Sequence, residues 1–68
     1  MKLEYREKET LGGGWSIEVC RAGIPLGHIR RNPVTGDYRY FNGMANELTP
    51  MLSDYDLDLL KAKIAAQL

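Results

Sequence analysis

Three side chains in this sequence have the chemistry of a thiol-based catalytic set. Cys20 has the character of a nucleophile, His28 of its general base, and Asp37 of the group that would orient the imidazole. The types are right, but the setting is not. No nucleophile-elbow motif surrounds Cys20, and a lone cysteine is commonly a small buried hydrophobe. His28 stands beside arginines and reads equally well as a surface residue. The sequence therefore assigns no catalytic residue, and the expectation is a protein that is not an enzyme.

Asp54, Asp56 and Asp58 form an acidic run. At alternate positions of a helix their side chains diverge, because helical neighbours lie three and four residues apart, so they form no compact ligand cage. Helix capping and solvation account for them better. One cysteine and one histidine cannot complete a four-ligand structural zinc site. Gly12-Gly13-Gly14 lacks the Gly-Lys-Ser/Thr that completes a phosphate loop, and it leads into a strand pattern rather than a helix. A hinge or hairpin turn is the better reading. No cofactor and no metal are expected.

The segment that looks most like a contact surface is Arg30-Arg31-Asn32-Pro33-Val34-Thr35-Gly36-Asp37-Tyr38-Arg39-Tyr40. The candidate partner-binding residues, in this segment and just before it, are His28, Arg30, Arg31, Tyr38, Arg39 and Tyr40. Arginine and tyrosine are favoured at protein interfaces. The bland account of the same residues is a solvated hairpin face whose arginine stems cover the tyrosines. Overall charge is balanced, with 9 basic and 9 acidic residues, which argues against an indiscriminate polyanion binder. The distribution is uneven. Between Arg21 and Arg39 four arginines face Asp37 alone, whereas Glu47, Asp54, Asp56 and Asp58 make the carboxy-terminal part acidic. A dipolar chain of this kind can steer a charged partner or pair with its own copy.

These residues need elements to position them. The 68 residues form one small domain, and a chain this short relies on a compact core or on self-association, since its single cysteine forms no internal disulfide. Residues 1–14 read as an edge strand or arm followed by the glycine-rich turn, with Met1, Leu3 and Tyr5 alternating. Trp15, Ile17 and Val19 alternate with Ser16, Glu18 and Cys20, the clearest strand. Arg21-Ala22-Gly23 supplies a turn. Extended chain resumes at Ile24 and runs to Arg31, with Gly27 marking a bulge or the close approach of a bulky neighbour such as Trp15. Asn32 to Gly36 is a tight loop: Asn32 bonds forward, Pro33 fixes its own φ, and Gly36 takes the left-handed conformation. Tyr38 to Phe41 returns as a strand.

After Asn42-Gly43, a helical turn is expected over Ala45 to Leu48. Pro50 separates it from a final helix spanning roughly Asp54 to Gln67, with Ser53 as its N-cap. Leu57, Leu60, Ile64 and Leu68 share one face of that helix, and Leu59, Ala62 and Ala66 widen the stripe. The expected fold is α+β: an antiparallel meander of three or four strands packed against one carboxy-terminal helix. Trp15 is the expected core anchor.

From Trp15 to Phe41 the loop and meander resemble the three-stranded, sheet-plus-helix DNA-binding domains of plant ethylene-response factors and the arm-binding domains of phage-type integrases. The resemblance rests on Arg31-Asn32-Pro33-Val34-Thr35-Gly36 and implies recognition of DNA through the sheet. The chain departs from that pattern by lacking a dense basic stripe, and Glu18, Asp37 and the acidic helix would repel phosphate if they share the binding face. The leading expectation is therefore a protein-interaction or regulatory module whose partner is another protein or its own copy. A DNA- or RNA-binding sheet and a purely structural assembly protein are the alternatives. No stretch approaches the roughly 18 apolar residues of a membrane span. No membrane partner is expected, and with a free cysteine and no export segment the expected location is the cytoplasm.

Overall fold

The computed structural model describes residues 2–10, 14–43 and 49–68. Five strands, β1 (Leu3–Thr10), β2 (Gly14–Arg21), β3 (Ile24–Arg31), β4 (Tyr38–Asn42) and β5 (Leu52–Asp54), precede one helix, α1 (Leu57–Gln67). The strands form one antiparallel sheet in the order β1-β2-β3-β4-β5. The expected α+β architecture is present, with five strands where three or four were anticipated.

The additional strand is β5. Its register sets Tyr38 opposite Asp54, Arg39 opposite Ser53 and Tyr40 opposite Leu52. Ser53 is thus a strand residue and not the helix N-cap. Asp56 takes that place: its backbone is extended, and its carboxylate accepts from the amides of Asp58 and Leu59. Capping of this kind satisfies amides that have no partner inside the helix. Asp54 in turn accepts from the amide of Asp56 at 2.8 Å. The helix therefore starts at Leu57 rather than Asp54.

β1 also differs from its sequence pattern. Apolar alternation ends at Tyr5, yet the strand pairs with β2 along its whole length, from Leu3 opposite Arg21 to Thr10 opposite Gly14. It is an edge strand, and its charged residues suit a position where unpaired backbone would otherwise invite aggregation. Gly14 opens β2. The rest of the triple glycine and the helical turn expected over Ala45 to Leu48 lie outside the described residues.

The core is the layer between the sheet and α1. Ile17, Ile29, Tyr40 and Leu52 occupy one cross-strand row over four strands. Leu60 and Ile64 pack on that side, and both are fully buried together with Ile17, Val19, Ile29 and Tyr40. Each buried isoleucine or leucine contributes about 1.5–3 kcal/mol. Trp15 does not fill the centre. It is half-buried at the edge of the cluster, with its ring edge-on to Tyr38 at a centroid distance of 5.7 Å. The helical stripe is narrower than expected: Leu57 and Leu68 flank the buried pair, whereas Leu59, Ala62 and Ala66 face outward. At 11 residues the helix is too short to persist alone in water. Tyr5 fastens its middle by donating to the Lys61 carbonyl, while the Lys61 ammonium lies 4.9 Å from the Tyr5 ring centre.

Two glycine features shape the sheet. Ala22 and Gly23 both have positive φ, 52° and 77°, which matches the twist of a two-residue hairpin between Arg21 and Ile24. At Gly27 a Cβ would collide with the Phe41 carbonyl oxygen and lie 2.8 Å from the Tyr40 hydroxyl. The bulky neighbour is Tyr40, not Trp15. The pairing register shifts between Val19 and Cys20, across from this point.

Candidate functional site

The sheet face turned away from α1 carries the charged rows. One runs Arg6, Glu18, His28, Phe41; the next runs Lys8, Ser16, Arg30, Arg39, Ser53. Strand alternation produces this separation directly, since successive side chains point to opposite faces. It also divides the expected contact residues. His28, Arg30 and Arg39 lie on this face. Tyr38 and Tyr40 project to the other, where Tyr40 is fully buried and its hydroxyl donates to Asn42 at 3.1 Å. Burial, followed by the nearby Tyr5, pushes the Tyr40 phenol above its ordinary range. The two tyrosines are thus packing residues on the helix side.

Arg30, Arg31 and Arg39 come together with Asn32, Pro33 and Phe41 around an open groove of about 370 Å³. Arg30 and Arg39 are directly opposite each other on β3 and β4. Arg31 lines the groove at the end of β3, where it stands opposite Tyr38 and its Nε donates to the Gly36 carbonyl at 3.4 Å, so by alternation it leaves the strand on the helix side. Pro33 and the buried Phe41 supply the apolar part of the lining, and His28 stacks on Phe41 with ring centroids 5.4 Å apart. Phe41 was missed as a site residue. Its parity with Arg39 was the available signal.

The loop between β3 and β4 holds the groove in shape. Asn32 Oδ1 accepts from the amides of Val34 and Thr35, and the Asn32 carbonyl accepts from the Gly36 amide at 2.8 Å. Gly36 closes the loop with φ 81°. The next residue, Asp37, receives Arg39 Nε at 3.0 Å and the Thr35 hydroxyl. Those bonds, Thr35 first and Arg39 second, hold its carboxyl below the ordinary range. Arg39 is thereby fixed at the groove wall.

Comparison with protein-family models, with curated proteins and with solved structures finds no match to this chain. What the site can do rests on its own geometry.

Farther along the same face, toward β1, the cations are paired as Arg39 is with Asp37. Arg6 pairs with Glu4 at 3.4 Å and Lys8 with Glu18 at 3.0 Å. Glu18 also accepts from the Cys20 thiol at 3.3 Å; Lys8 first and Cys20 second keep its carboxyl low. Cys20 is buried, and burial followed by the Glu18 carboxylate raises its thiol pKa, which opposes formation of a thiolate. The Cys20 thiol donates to Glu18, and the two Asp37 oxygens accept from Thr35 and Arg39. The acidic run is likewise occupied locally. Asp54 accepts from Asp56 and Lys63, Asp56 caps the helix, and Asp58 stands in its first turn. Among the described residues no helix is long and apolar enough to cross a membrane.

Proposed function

We propose that this protein acts by binding rather than turnover, as a small interaction module whose arginine groove receives an acidic segment of a protein partner. The reading rests on the convergence of Arg30, Arg31 and Arg39 on one groove lined by Phe41. Arg30 and Arg39 stand directly opposite each other on β3 and β4, which sets two guanidinium groups side by side at this groove. Guanidinium groups match carboxylates in geometry as well as charge, and Pro33 gives the groove an exposed apolar surface for the partner's side-chain stems.

An acidic peptide suits the groove better than a nucleic-acid backbone. Tracking phosphates requires several cations in a line, whereas the rows of this face interleave Glu18 and Asp37 with Arg6, Lys8 and Arg39. The favourable region is short and local. Titration calorimetry with a glutamate-rich peptide tests the proposal. Wild-type protein should bind it saturably and the double variant Arg30→Ala/Arg31→Ala should lose at least about tenfold in affinity, with unchanged circular dichroism. Equal affinity of the two proteins would sink the assignment. Tight binding of a DNA or RNA oligonucleotide with a steep salt dependence would favour the nucleic-acid reading instead.

A further inference from the structure

A second groove adjoins the first. Asp37, Ser53, Asp54, Tyr55 and Lys63 line it, with a volume of about 230 Å³. Two carboxylates there outnumber one ammonium, which Asp54 already holds at 2.9 Å. Tyr55 stands out at its rim, 74% exposed. Exposed Asp56 and Asp58 follow it in the chain, so the bend from Tyr55 to Asp58 presents an aromatic ring beside the carboxylates of the capping Asp56 and of Asp58. Arg39 lines the first groove and Asp37 the second, and their 3.0 Å ion pair links the two. Arg39 also faces Ser53 across the β4–β5 ladder.

We infer that the acidic segment received by the arginine groove belongs to a second copy of this chain: the Tyr55–Asp58 turn of each copy docks in the Arg30–Arg31–Arg39 groove of the other. The inference rests on the binding role proposed above and names its partner. Adjacent patches of opposite sign are what a two-fold axis requires, because rotation about an axis at their boundary places each patch on its complement. Both contacts then form together, and assembly closes at two copies instead of running on as a filament. Tyr55 would enter between guanidinium groups, an arrangement that adds cation–π attraction to the charge pairing. The zero net charge of the chain fits such a pairing, since neither copy repels the other overall.

Sedimentation velocity over a range of protein concentrations, with charge-swapped variants, tests this. Wild-type protein should dimerise, and raised salt should weaken the dimer. Arg31→Glu and Asp58→Arg should each reduce self-association about tenfold or more. An equimolar mixture of the two variants should recover it, because one interface is then charge-reversed and matched while the other is native. Both positions are exposed and outside the core, and circular dichroism of each variant checks that it is folded. If either fails to fold, Tyr55→Ala replaces it, with loss of dimer as the expected result. A wild-type monomer at every concentration would overturn the inference, as would a mixture no more associated than its components. A monomer that still binds a glutamate-rich peptide through Arg30 and Arg31 would overturn self-recognition alone; a monomer that binds no such peptide would overturn the binding role as well.

Discussion

Arg39 donates its Nε to Asp37 at 3.0 Å, and the carboxylate that receives it is itself pinned by the Thr35 hydroxyl. This relationship ties the β3–β4 loop to the groove. Asp37 is almost fully buried, so its charge is tolerated because both oxygens are engaged.

The pair predicts a defined acid sensitivity. The folded-state pKa of Asp37 lies below its ordinary 3.8, and Thr35 and Arg39 are the main causes. An unfolded chain then takes up this proton first, so the contribution is complete above 3.8 and is lost as pH falls through the lower folded value. Asp54 is depressed in the same sense by the Asp56 amide and then Lys63. Thermal unfolding of wild type and Asp37→Asn between pH 6 and pH 2 should show a gap in Tm that narrows below about pH 4. A constant gap across that range would contradict the assigned ionisation.

Gly27 offers a separate check on the sheet. A methyl group there would meet the Phe41 carbonyl and the Tyr40 hydroxyl. Because a backbone oxygen cannot swing aside as a side chain can, Gly27→Ala should cost about 1–3 kcal/mol in chemical denaturation. An unchanged midpoint would mean that the β3–β4 spacing is looser than described.

Much of the fold is legible in residue patterns, for physical reasons that can be named. Ile17, Ile29 and Tyr40 report their burial through strict alternation, and Leu60 with Ile64 through helical spacing. β5 was not legible because three residues are too few for a period to develop; Ser53 therefore mimicked a helix cap. The site was half legible. Alternation already sets Arg39 and Phe41 against Tyr38 and Tyr40, yet the tyrosines resembled interface residues by type. Their role follows from α1, which covers their side of the sheet, and that long-range packing leaves no mark between Arg30 and Phe41. The proximity of Asp37 to the β5 turn was hidden for the same reason.

The helix face gives a paired prediction. Leu60 is fully buried and Leu59, its neighbour in sequence, is 56% exposed. Leu60→Ala should destabilise the protein by about 2–5 kcal/mol, while Leu59→Ala should stay within about 0.5 kcal/mol. Equal losses at the two positions in urea unfolding would place the helix in a different rotation.

The most direct measurement of the binding surface is an amide chemical-shift titration of ¹⁵N-labelled protein with a glutamate-rich peptide at low salt. Saturable shifts should concentrate at Arg30, Arg31, Asn32, Arg39 and Phe41, around the groove, and should collapse in Arg30→Ala/Arg31→Ala. Shifts that cluster on α1 or along β1 instead, or no saturable shift at all, would contradict the account.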